Sequence, residues 1–136
     1  MISKILCATD GSETSDIPVV FAAKLAARVG AELSLIAVNV LLYNARGGSS
    51  HLWEEETFNE IMEQAGQAAE KAGMGTAERV KAFGTYPAST IIDYADRNGF
   101  DHIVVGGPRV GVARIILGSV ASEVAAKAHC AVTIAR

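Results

Sequence analysis

The chain has 136 residues, half of them hydrophobic and a fifth charged, with a formal net charge of −3. That length suits one domain spanning residues 1–136, and the composition excludes a disordered chain, while the weak negative charge leaves no basic footprint for DNA or RNA. No segment approaches the length of a membrane-crossing helix, the opening residues lack a secretory pattern, and Cys7 and Cys130 match no metal or redox spacing, so a cytoplasmic protein with reduced, packed thiols is expected.

Strand and helix periodicities alternate along the whole chain, the pattern of a parallel α/β sheet. Ile2 to Ala8 reads as a buried strand that ends in the polar turn Thr9-Asp10-Gly11-Ser12. From about Ser15, the apolar positions Ile17, Val20, Phe21 and Leu25 follow the helical period, and Gly30 is placed to stop that helix. Leu33 to Val40 is a second apolar run of the kind that strands covered on both faces require. Tyr43 to Leu52, rich in Gly, Ser and Asn, reads as the one long irregular stretch; His51 and Trp53 lie in this loop after the second strand, read as solvent-exposed disorder, the alternative being a loop folded over a bound base.

Glu54-Glu55-Glu56 suits the positive end of a helix whose apolar face carries Phe58, Ile61, Met62, Ala65, Ala69 and Ala72. A third, shorter strand is expected near Glu78 to Phe83. Pro87 then opens a helix closed by Asn98-Gly99, and His102 to Gly106 makes a fourth strand in which His102 is structural. Ser119 is expected to cap a final helix, and Ala131 to Ala135 to form a fifth strand.

In an open parallel sheet, ligands bind beyond the carboxyl ends of the strands, where the strand order reverses. Two polar turns fit that place: Thr9-Asp10-Gly11-Ser12 after the first strand, and Gly106-Gly107-Pro108-Arg109 after the fourth. The second leads to Gly118-Ser119 at a helix start, where free N–H groups and the helix dipole attract phosphate, and Arg109 and Arg114 add cationic donors. Each element also has a structural reading, as an ordinary turn, helix start or solvated charge. Their convergence at one sheet edge points to a bound anion, with a sugar or base held by Asp10. The loop fits neither the Walker P-loop nor the G-x-G-x-x-G fingerprint.

Taken whole, the sequence resembles the universal stress protein family, in KILCATDGSETS, SLIAVNV, IIDYADRNGFDHIVVG and LGSVASEVAAKAHCAVTIAR, with Gly84 and Pro87 between them. The resemblance implies a Rossmann-like (adenine nucleotide alpha hydrolase-like) three-layer sandwich, with a five-stranded parallel sheet of order 3-2-1-4-5, and a homodimer paired through strand five. Nucleotide-binding members carry a G-x2-G-x9-G-[ST] loop around the phosphates. Residue by residue, the resemblance assigns Asp10, with Thr9 beside it, and Val38 to adenosine, Gly106 to the first glycine, and Gly118, Ser119 and Val120 to the phosphate end. The middle departs from the pattern: 11 residues separate Gly106 from Gly118 where the pattern has 12, and Arg109 stands in place of the second glycine. Gly107 and Gly111 offer glycines at shifted positions, while Pro108 has no N–H to give a phosphate.

The function expected on these grounds is regulatory binding of ATP or AMP in a stress response, with Mg2+ as an optional companion of the phosphates. No residue is assigned to catalysis, no protein ligand to a metal, and at most slow ATP hydrolysis is expected. The alternative is a dimeric interaction module of the same fold that binds no nucleotide and works through a regulatory protein partner.

Overall fold

A computed structural model describes residues 1–107 and 118–136. Its elements in chain order are β1 (Lys4–Ala8), α1 (Asp16–Val29), β2 (Glu32–Asn44), β3 (Gly48–His51), α2 (Glu55–Lys71), β4 (Glu78–Gly84), α3 (Pro87–Arg97), β5 (His102–Gly106), α4 (Ser119–Lys127) and β6 (Ala131–Ala135). The α/β class expected from the alternating periodicities is the class observed.

β1 is central, pairing in parallel with β2 (Cys7 opposite Leu35) and with β5 (Cys7 opposite Val104). Ile5, Leu6 and Cys7 expose no surface, because helices cover both faces of the sheet. β4 pairs in parallel with β2, and β6 with β5.

The strand count needs correction, while the five parallel strands lie in the order β4-β2-β1-β5-β6. The sheet has six strands rather than five, along the path β3-β2-β1-β5-β6 with β4 also on β2, and it is mixed rather than wholly parallel. The difference is a hairpin where an irregular stretch was expected. β2 runs on past Val40 to Asn44, and β3 returns antiparallel to it, with Leu41 opposite His51 and Tyr43 opposite Ser49. The reversal has a local cause: the Gly47 N–H donates to the Asn44 carbonyl at 3.2 Å, and Gly47 takes the left-handed φ of 79° that a short hairpin loop requires. Gly48, Ser49 and Ser50 have weak strand preference, and pairing with the long apolar β2 overrides it.

The two faces of β2 separate the core into halves. Leu33, Leu35 and Ala37 pack with Val19, Ala22, Phe58 and Met62 of α1 and α2. Ile36 and Val38 pack with Ala88, Ile91 and Val124 of α3 and α4. Strand alternation alone places successive residues in opposite layers. Phe58 and Leu35, at most 1% exposed, each contribute roughly 1.5–3 kcal/mol through burial. Each crossover helix runs back from the carboxyl edge of the sheet, so that edge collects the strand ends and the helix N-termini.

Candidate functional site

Register brings the two polar turns together. The last β1–β5 pair is Cys7 with Val104, and the turns at Asp10 and Gly107 both follow within three residues of it, so they leave neighbouring parallel strands at the same edge. The Thr9 N–H donates to the Ile36 carbonyl at 2.9 Å, extending β1 along β2, and Val38 lies two residues further along the same strand. Thr9 and Val38 are both buried. On Asp10, Oδ1 accepts from the Ser12 N–H at 2.9 Å, an Asx turn that holds the carboxylate at the sheet edge. Gly11 follows with φ 75°, a left-handed backbone that favours glycine, and a Cβ there would lie 2.8 Å from the Ile61 side chain.

On the other side, the Gly107 N–H donates to the Ala135 carbonyl at 2.8 Å, tying the exit of β5 to the end of β6. The positions from Pro108 to Leu117, and with them the expected Arg109, Gly111 and Arg114, lie outside the described residues. Beyond them, α4 begins one residue earlier in its capping pattern than expected. Gly118, in extended conformation, is the N-cap, and Ser119 is the first helical residue without a capping side-chain bond. A glycine meets the extended backbone of an N-cap position at little cost, and the serine is displaced into the first turn.

The Ser122 N–H donates to the Gly118 carbonyl at 2.9 Å, so the N–H groups of Ser119, Val120 and Ala121 precede the helical ladder. Gly118 and Ser119 are exposed, and Val120 is half-buried. The arrangement offers donors and a positive helix end to an anion. Thr9, Asp10, Val38, Gly106 and Gly107 belong to the strand ends at this edge, and Gly118, Ser119 and Val120 to the start of α4.

A second feature went unread in the sequence. Asn39, 2% exposed within an otherwise apolar strand, donates from Nδ2 to the Trp53 carbonyl and accepts at Oδ1 from the Trp53 N–H, both at 2.9 Å. This clamp holds the return of the hairpin against α2 and closes one wall of a cleft of about 490 Å3. His51, Trp53, Phe58, Lys81 and Phe83 line it. The cleft lies on the α2 side of β2, opposite Val38. The signal was present as a lone amide inside IAVNVLL, a residue that a buried strand admits only with partners for its polar atoms.

Other polar groups are structural. His102 is buried, and its Nε2 lies 2.7 Å from the Thr133 Oγ1 across β5 and β6. Burial pushes its pKa below the ordinary 6.5, with the Asp101 charge acting in the opposite direction. The two cysteines form no disulfide, and burial pushes both thiols up, Cys7 far beyond the ordinary range. Among the described residues, no group of three His, Cys, Asp or Glu could hold a metal ion, and no helix is long and apolar enough to cross a membrane.

Comparison with known proteins matches this architecture. A model of the universal stress protein family matches residues 1–136. A universal stress protein of Methanocaldococcus jannaschii is 30% identical over all of this chain and 83% of its own length. Among solved structures, a universal stress protein in complex with cAMP superposes with a TM-score of 0.79 at 24% identity, covering 99% of this chain and 97% of that one. A universal stress protein from Archaeoglobus fulgidus in complex with dAMP gives 0.65 at 23% identity, covering 100% and 98%. At these identities the structural likeness supports the fold.

Proposed function

Because the chain belongs to the universal stress protein family, we propose that it is a regulatory binder of an adenine nucleotide, ATP or AMP, acting in the cytoplasm as one domain of residues 1–136. The observation that supports this reading is topological: the Asp10 turn follows β1 and the α4 N-terminus precedes β6, so both belong to the carboxyl edge of the parallel sheet, with three α4 N–H groups ahead of the helical ladder. Nucleotides in the two solved relatives, cAMP and dAMP, support the adenine and the single phosphate.

In this reading, Asp10 accepts from the sugar hydroxyls. Val38, two residues beyond the Ile36 carbonyl that Thr9 bonds, gives the base an apolar wall. Gly106 and Gly107 let the backbone approach the ligand closely. The N–H groups of Ser119 and Val120, with the Ser119 hydroxyl, hold a phosphate at the positive end of α4. Arg109 and Gly111 complete the proposed set on sequence, Arg109 supplying positive charge where the family pattern has glycine. A Mg2+ ion would be shared among phosphate oxygens and requires two or more phosphates. No side chain is assigned as a base or nucleophile, so the proposal is binding with at most slow hydrolysis.

The test is direct. Purified protein, denatured and examined by mass spectrometry, should release an adenine nucleotide, or the stripped protein should bind AMP or ATP in calorimetry. No released nucleotide, and no heat up to about 1 mM ligand, where binding free energy falls to about 4 kcal/mol, would remove the reading.

The second reading, a dimeric interaction module, has its own observation in the contrast between the two outer strands. β4 carries Glu78, Arg79 and Lys81, charges that discourage strand addition, whereas β6 reads AVTIA with no charge. We propose a homodimer through β6, and sedimentation equilibrium should give twice the chain mass. A nucleotide-free dimer would favour the module and a regulatory protein partner over the nucleotide reading.

A further inference from the structure

Strand alternation gives the molecule a second concavity, separate from the nucleotide edge. Asn39 follows Val38 on β2 and faces the opposite layer, so the cleft of about 490 Å3 beneath the hairpin opens on the α2 side. Its volume lies within the range of small-molecule sites, roughly 300–1,000 Å3.

The walls are aromatic. Trp53 and Phe58 have ring centroids 5.5 Å apart, Phe58 and Phe83 meet edge to face at 5.5 Å, and Phe83 meets His51 at 5.2 Å. Phe83 remains 57% exposed although it belongs to this cluster, so a large part of its ring is presented to solvent. The Lys81 Nζ already sits 4.9 Å from the centroid of the Phe58 ring and donates to the Asn59 Oδ1. The cluster thus holds one ammonium group of the chain's own, through the attraction of a cation to a ring face.

The rim is acidic. Glu54 and Glu55 line the cleft and, among the described residues, enter no ion pair, while Lys81 is already engaged by a ring and an amide. Two carboxylates stand against one ammonium. That excess of negative charge over Lys81 in the lining disfavours an anion and favours a cation among the exposed rings.

From this geometry we propose that the cleft binds a small organic cation, an ammonium ion whose apolar body lies on Phe83 and whose charge faces Glu54 and Glu55. The site does not depend on the nucleotide reading and uses none of its residues.

Trp53 lines the cleft and is the chain's single tryptophan, so its fluorescence reports on occupancy. The probe is phenethylammonium, compared with 2-phenylethanol as the neutral isostere and 3-phenylpropionate as the anion. For a ligand of this size, a saturable signal with Kd of about 1 mM is expected, at least about fivefold weaker for the alcohol and absent for the carboxylate. The E54Q/E55Q double substitution and Phe83→Ala should each weaken binding about fivefold, and Lys81→Met, by removing the competing ammonium, should tighten it. These positions are exposed, and circular dichroism of each variant checks its folding alongside the titration. No saturable signal, equal binding of the alcohol or the carboxylate, or indifference to the E54Q/E55Q change would overturn the proposal.

Discussion

Asn39 and Trp53 are joined by two hydrogen bonds of 2.9 Å, the side-chain amide of one reading both backbone polar groups of the other. Asn39 is 2% exposed, and replacing it removes the partners of both Trp53 backbone groups. Asn39→Ala should therefore cost about 2–3 kcal/mol in urea denaturation. A loss below about 0.5 kcal/mol, the level of an ordinary surface change, would show that the clamp does not hold the hairpin.

Acid should weaken the fold in two separate windows. Burial holds the His102 pKa below its ordinary 6.5 despite the opposing Asp101 charge, so as pH falls the unfolded chain takes up that proton first. Stability is then full above 6.5 and is lost as pH drops through 6.5 toward the folded value. At Asp101, burial acts upward but is outweighed by hydrogen bonds from the Ser3 hydroxyl and the Ser3 and Lys4 N–H groups. Its contribution is present above the ordinary 3.8 and is lost below it. Denaturation midpoints across pH for His102→Gln should flatten the upper window and leave the lower one in place.

Gly11 should resist substitution. Its φ of 75° strains any residue with a Cβ, and the added atom would meet Ile61 at 2.8 Å, a contact that the flexible side chain relieves by moving. Gly11→Ala should cost about 1–2 kcal/mol, mostly from backbone strain. Thermal unfolding with an unchanged midpoint would show that the turn relaxes freely.

Nucleotide affinity should separate the charge of Asp10 from its turn. Asp10→Asn retains an oxygen for the Ser12 N–H, whereas Asp10→Ala removes both the turn contact and the proposed sugar contact. AMP affinity by calorimetry should fall about threefold for the first and at least tenfold for the second. Equal affinity in all three proteins would detach Asp10 from the ligand.

The parallel framework was legible because its signals are redundant. Gly30, Pro87 and Asn98 punctuate helices whose apolar faces repeat at the helical period, and His102–Gly106 and Ala131–Ala135 form strands at the expected limits. The hairpin was not legible, because glycine and serine at positions 47–50 carry the composition of a loop and become a strand only through pairing with Leu41–Asn44. The cleft followed from the hairpin and was hidden with it: Trp53 and Phe83 lie 30 positions apart, and only the tertiary fold brings them to Phe58. The two ends of the candidate nucleotide site were readable from Asp10-Gly11 and Gly118-Ser119, although the capping role falls to Gly118 and not to Ser119.

The consecutive placement of Val38 and Asn39 also sets where this chain can change length. A single inserted or deleted residue between Ile36 and Val40 would exchange the layers that these side chains enter, putting an amide into the apolar half beneath α3 and a valine where Trp53 needs its partner. Insertions at Ala45 or Arg46 would meet no such penalty, since the hairpin tip is exposed. Length variation among relatives of this chain should therefore gather at the tip and avoid the five residues below it.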